Sequence, residues 1–195
     1  YDYMDLDCIE APHGRACAVA TGVRRARPDR VVFAYQGDGD LASIGLAEAV
    51  HAANRGERVS VFFINNTLYG MTGVQKAPTT LLGQKTATSP RGRDLAGEGG
   101  PLHMTEMMAQ LAGVGYAARC ALDSVAHIRA AGRAVRAAFE VQLRDLGFGF
   151  VELLCGCPTN WRMDPVAANR HICEAMIPVF PLGVFKDVRD SQGAA

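Results

Sequence analysis

The fold is decided by the stretch Val31-Val32-Phe33-Ala34-Tyr35-Gln36-Gly37-Asp38-Gly39-Asp40, an apolar run that ends in a glycine-rich turn. A second β-rich run, Val59-Ser60-Val61-Phe62-Phe63-Ile64, follows it along the chain. Between the two runs, apolar residues recur at helical spacing until Gly56, a residue type that commonly ends helices. Both strands are continuously apolar, which is typical of parallel strands buried on both faces. We therefore predict an α/β fold in which helices cover a parallel sheet.

The rest of the chain extends this pattern. Residues 148–154 form a third apolar run, and the residues from Ser124 to Leu146 have helical periodicity. Residues 72–101 lack apolar periodicity and are rich in Gly, Pro, Thr and Ser, which predicts a long loop that is functional or disordered. We predict one domain over residues 1–182, followed by a polar tail over residues 183–195.

Composition excludes several classes of partner. The chain has 195 residues, with 20 basic side chains balanced by 20 acidic ones, so no charge excess favours nucleic acid. No apolar run approaches the roughly 20 residues needed to span a membrane. Six cysteines in a chain of this size predict a reducing, cytoplasmic location rather than a disulfide scaffold. The chain starts at Tyr1 without Met or a signal-peptide pattern, and we expect it to lack an N-terminal segment.

The turn at residues 37–40 follows a strand and precedes a helix, where open α/β sheets bind ligands. It could be only a tight turn, or a dinucleotide fingerprint formed by Gly37, Gly39 and Ala42. Against the fingerprint, Asp38 would repel a pyrophosphate. That objection disappears if a divalent cation lies between them, because Mg²⁺ prefers carboxylate, amide and phosphate oxygens. Asn66 ends the next strand and could share such an ion with Asp38.

A wider set of motifs then points to a family. Gly37-Asp38-Gly39 and Asn65-Asn66, separated by 25 residues, resemble the thiamine-diphosphate signature of the transketolase and 2-oxoacid dehydrogenase superfamily. Three further stretches occur in the matching order: His13-Gly14-Arg15, Leu68-Tyr69-Gly70-Met71-Thr72-Gly73 and Cys157-Pro158-Thr159-Asn160-Trp161. Together they resemble the thiamine-binding β subunit of 2-oxoacid:ferredoxin oxidoreductases.

The resemblance assigns roles to individual residues. It implies that Mg²⁺ is held by the side chains of Asp38 and Asn66 and by the backbone carbonyl of Leu68. It also implies that thiamine diphosphate is contacted by the following residues: His13, Gly39, Asp40, Gly70 and Met71. Glycines and a helix start suit this task, since they let backbone N–H groups approach a diphosphate.

The resemblance further implies oxidative decarboxylation of a 2-oxoacid to acyl-coenzyme A and carbon dioxide, with electrons passed to ferredoxin. In the family an α subunit contributes to the active site, so we expect that partner and assign no catalytic acid or base to this chain. The motif wording favours 2-oxoglutarate or branched-chain substrates. The alternatives are another thiamine-dependent oxidoreductase or decarboxylase subunit, and a non-catalytic structural fragment.

One part of the family pattern is incomplete. Members usually carry a four-iron four-sulfur cluster bound by a C-x-x-C pair, a Gly-Cys and one later cysteine. Cys157 occupies the last of these positions, whereas the upstream cysteines have no counterpart, because the chain begins after their expected place. Such clusters normally need four thiolates. A fragment, a subunit divided between two chains and a member without the cluster all fit this observation, and the abrupt start favours a fragment.

Overall fold

The computed structural model describes residues 4–189. The strands, in chain order, are β1 (Phe33–Gly37), β2 (Ser60–Asn65), β3 (Leu68–Tyr69), β4 (Gln75–Lys76), β5 (Val114–Ala121), β6 (Phe148–Leu154) and β7 (Gly183–Asp187). The α-helices are α1 (Ala16–Ala26), α2 (Leu46–Asn54), α3 (Leu95–Glu98), α4 (Met104–Ala109), α5 (Val125–Leu143), α6 (Pro158–Trp161), α7 (Pro165–His171) and α8 (Ile177–Val179). Two π-helical turns, Asp40–Ile44 and Ile172–Met176, precede α2 and α8.

The main sheet contains five strands in the order β1-β2-β6-β5-β7. The pairs β1–β2, β2–β6 and β6–β5 are parallel, and β7 runs antiparallel to β5. Strands β3 and β4 form a separate antiparallel pair. The predicted α/β class and the parallel pairing of the three predicted strands are confirmed, and β7 makes the sheet a mixed one.

Helices cover both faces of the sheet. On one face, α1, α2 and α4 pack through small or flexible side chains such as Ala20, Ala49 and Met104. On the other face, α5 contributes a row of buried alanines that contact the sheet: Ala131, Ala134, Ala137 and Ala138. Because alanine is short, the helix axis lies close to the large side chains that fill the sheet surface, such as Phe62.

The predicted tail is wrong over residues 183–187, which form β7. Val184 and Phe185 suit a strand, and β5 offers its free edge to their backbone hydrogen-bonding groups. Residues 190–195 of the predicted tail lie outside the described residues. Between residues 4 and 189, no helix combines the length and the apolarity that crossing a membrane requires.

The long loop over residues 72–101 is ordered by a buried arginine. The Arg93 guanidinium donates to backbone carbonyls on both sides of the loop, among them those of Pro78 (2.9 Å), Thr80 (2.6 Å) and Gly100 (2.6 Å). An arginine suits this role because its five N–H donors lie in a fixed plane. The loop can therefore hold side chains in place against the end of the sheet.

Candidate cation and diphosphate site

The ends of β1 and β2 bring Asp38 and Asn66 to the same edge of the sheet. The two strands are parallel, with Gly37 opposite Ile64, so the residues that follow them leave the sheet side by side. Asp38 is 2% exposed, and its Oδ1 accepts from the N–H of Gly39 (2.9 Å). The two strand ends are therefore adjacent in the fold, and the sharing of an ion by Asp38 and Asn66 stays a prediction.

Asp38 is a buried carboxylate without a protein counter-charge. Within residues 4–189 three carboxylate residues are buried, namely Asp38, Glu57 and Glu152. Arginines pair with Glu57 and Glu152, but no ion pair forms at Asp38 in this part of the chain. Burial raises the pKa of Asp38 from 3.8 to about 7. A cation bound from solution would supply the missing charge.

A hydroxyl from the long loop completes the surroundings of Asp38. Thr79 Oγ1 donates to Asp38 Oδ2 at 2.5 Å, and Thr79 is itself fully buried. Sequence reasoning missed Thr79, because nothing near it in the chain indicates contact with a residue 41 positions earlier. The signal available was the Pro78-Thr79-Thr80 group in a loop that already looked functional.

The residues after β2 form a tight turn. Thr67 has a φ of 64°, in the left-handed region that β-branched residues rarely adopt. The N–H of Leu68 donates to Asn66 Oδ1 (3.3 Å), and Trp161 Nε1 donates to the Asn66 carbonyl (3.2 Å). The turn thus follows the strand next to the one that ends at Asp38, and carboxylate, amide and carbonyl oxygens are ligands that a hard cation prefers.

The helical segment after β1 starts without a side-chain cap. Gly39 stands at the N-cap of the π-helical turn, so the first N–H groups of this segment receive no capping side chain. The Tyr69 hydroxyl donates to the Gly39 carbonyl at 2.6 Å, and a Cβ on Gly39 would lie 2.5 Å from the Tyr69 ring. Only glycine fits here, and uncapped N–H groups at a helix start favour an anion such as a phosphate.

The Asp40 side chain binds other parts of the protein. Its Oδ1 accepts from the Gly14 N–H and lies 3.0 Å from His13 Nδ1, while its Oδ2 accepts from Gln36 Nε2 at 2.7 Å. The carboxylate therefore ties the loop before α1 to the start of the next helical segment. His13 lies against Asp40 with 71% of its side chain exposed, and its predicted contact with the cofactor stays a prediction.

Gly70 also lies in the cluster. A Cβ on Gly70 would stand 3.1 Å from Asn160 Nδ2, 3.7 Å from Cys157 Sγ and 3.9 Å from Asn66 Nδ2. The Asn160 amide donates to Cys157 Sγ at 3.1 Å, which places this thiol beside the turn. The Met71 side chain is fully exposed, so its predicted role stays a prediction.

The described part of the chain contains no group of three or more His, Cys, Asp or Glu side chains that could hold a metal. Cys157 is therefore a single thiolate candidate, not a complete iron–sulfur site. The Asp38 site differs in kind, because Mg²⁺ is bound by few protein ligands together with substrate phosphates. A buried, uncompensated carboxylate beside an uncapped helix start fits that requirement.

These features describe an α/β domain with a buried carboxylate, not paired with a cation in residues 4–189, at the carboxyl edge of its sheet. Residues 2–144 match the family model described as the C-terminal TPP binding domain of thiamine pyrophosphate enzymes. The chain belongs to this family.

The relatives are subunits of oxidoreductases. The chain is 51% identical over 187 residues to the ketoisovalerate oxidoreductase subunit VorA of Methanothermobacter thermautotrophicus, covering 96% of this chain and 39% of that protein. It is 38% identical over 172 residues to the 2-oxoglutarate synthase subunit KorB of Archaeoglobus fulgidus, covering 88% of this chain and 60% of that protein. The chain thus spans about two fifths of the first relative's length and three fifths of the second's.

A solved structure shares the fold. It is the 2-oxoglutarate:ferredoxin oxidoreductase from Magnetococcus marinus with 2-oxoglutarate, coenzyme A and succinyl-CoA bound. The match has a TM-score of 0.66 at 24% identity and covers 94% of this chain and 69% of that one. The predicted fold class is confirmed by this similarity.

Proposed function

We propose that this chain is the thiamine-diphosphate-binding part of a 2-oxoacid:ferredoxin oxidoreductase. The observation that carries the proposal is the buried Asp38 without a protein counter-charge, placed beside the Asn66 turn. The family match and the 51% identity to a ketoisovalerate oxidoreductase subunit support the same reading. We favour a branched-chain 2-oxoacid as substrate on this identity, with 2-oxoglutarate second.

Each residue of the site has a task toward the bound group. Asp38 and Asn66 supply side-chain oxygens to Mg²⁺, and Leu68 supplies its backbone carbonyl. Gly39 and Asp40 would contact the diphosphate at the start of the helical segment, where the helix end provides partial positive charge; in the structure the Gly39 N–H donates to Asp38. When bound, thiamine diphosphate supplies a nucleophilic carbon for the keto group and an electron sink for decarboxylation.

Two further segments would contact the cofactor. They are His13, which lies against Asp40, and Gly70 with Met71, which follow the Asn66 turn. The uncharged surroundings of Asp38 strengthen its attraction to the cation, since few other charges compete there. We assign no catalytic acid or base to this chain and expect an α subunit to complete the active site.

The overall reaction converts a 2-oxoacid and coenzyme A to an acyl-coenzyme A and carbon dioxide. Two electrons leave the substrate, and two one-electron acceptors such as ferredoxin take them. A four-iron four-sulfur cluster would carry these electrons, with Cys157 as one of its four thiolates. The six unpaired cysteines support a reducing, cytoplasmic setting.

The test combines binding and turnover in the complete protein with its copurified partners. Titration calorimetry with thiamine diphosphate should give saturable binding with Mg²⁺ and little heat after chelation of divalent ions. Reduction of a one-electron acceptor should then require a 2-oxoacid and coenzyme A together, fastest with 2-oxoisovalerate. Acceptor reduction without coenzyme A would indicate another thiamine-dependent oxidoreductase. Absence of binding would reject the cofactor assignment.

A further inference from the structure

A buried ion pair at the centre of the sheet is connected through Asn65 to the Asn66–Thr67–Leu68 turn. The side chains of Arg119 on β5 and Glu152 on β6 are both 0% exposed, and Arg119 Nε donates to Glu152 Oε2 at 2.8 Å. The Thr105 hydroxyl donates to the same oxygen. Arg119 also pairs with Glu106 and donates to the Pro181 carbonyl at 3.1 Å. The guanidinium is thus fixed by several partners, and it holds the Oε2 atom of the Glu152 carboxylate in place.

The other oxygen of Glu152 fixes the orientation of an asparagine amide. Asn65 Nδ2 donates to Glu152 Oε1 at 2.7 Å, and Asn65 Oδ1 accepts from the Thr67 N–H at 3.1 Å. An ionised carboxylate only accepts hydrogen bonds, so the amide must turn its NH₂ group to Glu152. Its carbonyl oxygen is thereby directed at Thr67. The reverse orientation would set two N–H donors against each other at Thr67 and bring two acceptors together at Glu152.

The Thr67 N–H bond matters because the turn is strained. Thr67 has its φ at 64°, and a β-branched residue pays for this conformation only where its surroundings enforce it. Three further contacts hold the residue: Thr80 Oγ1 donates to its carbonyl (2.5 Å), Gln84 Nε2 donates to its hydroxyl (2.9 Å), and that hydroxyl donates to the Asn66 carbonyl (2.7 Å). The turn lies between the two atoms assigned to the cation, on Asn66 and Leu68.

We propose that Glu152 is a positioning residue for the cation site, acting through Asn65 on the Asn66–Thr67–Leu68 turn, with Arg119 as its counter-charge. The proposal rests on the proposed function of that turn as a holder of Mg²⁺. Glu152 does not touch the cation or the cofactor. Its effect is to select the one amide orientation of Asn65 that supports the left-handed residue at the centre of the turn.

A charge exchange between the two side chains tests this proposal. In Glu152→Gln, the new amide keeps its oxygen toward Arg119 and Thr105 and therefore presents its NH₂ to Asn65, so two donors meet. In Asn65→Asp, two carboxylates meet. In the double variant Glu152→Gln/Asn65→Asp, the glutamine NH₂ donates to one aspartate oxygen while the Thr67 N–H donates to the other. The double variant therefore restores every hydrogen bond, and the negative charge lies on residue 65 instead of residue 152.

Two readouts are measured on the complete protein. The first is hydrogen–deuterium exchange of the peptide containing Thr67 without cofactor, and the second is the affinity for thiamine diphosphate with Mg²⁺. We expect Glu152→Gln to speed exchange and weaken affinity about tenfold or more, and the double variant to return both to within about threefold of wild type. The matched control, Glu140→Gln, removes a carboxylate that pairs with Arg189 at the surface and should change neither.

The outcomes separate the two claims. Unchanged Thr67 exchange in Glu152→Gln, or exchange equally fast in the double variant, overturns the positioning role whatever the cofactor does. If wild type shows no Mg²⁺-dependent binding, the proposed function fails, and the exchange data alone still decide whether Glu152 orders the turn. If Glu152→Gln does not fold, Asn65→Ala breaks the link while leaving the ion pair intact, and normal exchange at Thr67 in that variant rejects the proposal.

Discussion

Replacing Asp38 by asparagine should stabilise the cofactor-free protein and abolish its response to Mg²⁺. Asparagine has the same shape as aspartate, and its carbonyl can still accept from the Gly39 N–H. Its NH₂ group can donate to the Thr79 hydroxyl, which donates to Asp38 in the native chain. The substitution therefore removes one buried charge and keeps both hydrogen bonds.

The size and the pH dependence of the gain follow from the pKa of Asp38. Burial raises that pKa from 3.8 to about 7, so between these values the folded chain binds more protons than the unfolded chain. Native stability therefore falls as pH rises through this window, and the loss is complete above pH of about 7. One pKa unit corresponds to about 1.4 kcal/mol, which sets an upper limit on the order of 4 kcal/mol. Relaxation around buried charges reduces such penalties, so we expect about 2 kcal/mol.

Thermal unfolding at several pH values measures this gain. At pH 8 without cofactor, Asp38→Asn should melt about 4–8 °C above wild type, and near pH 4 the two should melt together. Added thiamine diphosphate and Mg²⁺ should raise the melting temperature of wild type and leave that of the variant unchanged. A variant that is no more stable at pH 8, or that still responds to Mg²⁺ like wild type, would refute the placement of an uncompensated charge at a cation site.

Three further substitutions probe the rest of the site. Gly39→Ala should weaken cofactor binding and lower the free energy of unfolding by about 1–3 kcal/mol, because its Cβ would overlap the Tyr69 ring. Adding Tyr69→Ala should recover part of both losses, measured by thermal unfolding and by titration calorimetry. Asp40→Asn should speed hydrogen exchange over the loop containing His13, because the amide cannot accept from all three of its present donors; exchange at the wild-type rate would contradict this. Arg93→Lys should make the long loop sensitive to low concentrations of protease, because lysine cannot donate to all the carbonyls that Arg93 contacts. The matched control, Arg91→Lys at an exposed position, should leave the cleavage rate unchanged.

Strands with a continuous apolar run can be predicted from the sequence. Strands of mixed composition cannot, because they are buried only by the strands and helices that pack against them. Strand β6 was predicted with its bounds, whereas β5 was not predicted at all. Strand β5 includes Gly115, several alanines and Arg119, so its composition lacks the β-branched run that marks a buried strand. Its edges are covered by β6 and β7, and its faces are covered by helices α4 and α5. Arg119 in particular looks like a surface residue until Glu152 is placed beside it.

A shift in helical phase explains why the apolar stripe between β1 and β2 is not continuously buried. The spacing of Leu41, Ile44, Ala47 and Val50 predicts one buried stripe, yet Ile44 is half exposed and Ala47 is exposed. The π-helical turn over Asp40–Ile44 takes up extra residues before α2 starts at Leu46. The buried face of α2 consists instead of Ala49, Ala52 and Ala53. Such a turn leaves no periodic signal in the sequence, and π-helical segments are frequent at functional sites.

The site itself could be predicted as far as strand order determines it. Asp38 and Asn66 end neighbouring parallel strands, so their convergence followed from the βαβ pattern. Thr79 contacts Asp38, and Glu152 contacts Asn65, from distant parts of the chain, and no local pattern relates them to the site. The predicted phosphate contact of Asp40 stays a prediction, and its side chain binds the loop before α1, a contact that the sequence pattern did not indicate.

The three carboxylates that are buried within residues 4–189 show how a structure distinguishes a charge paired inside the chain from one left for a ligand. Glu57 and Glu152 each have arginine partners within the chain, so their burial is compensated when the chain folds. Asp38 has only hydrogen-bond donors, which lower the cost of its burial without cancelling the charge. A folded chain that keeps such a residue gives up stability in its empty state. A bound cation compensates the buried charge and restores the lost free energy of unfolding. Asp38 should therefore destabilise the protein most when the site is empty, and its loss should weaken cofactor binding most when the cation is present.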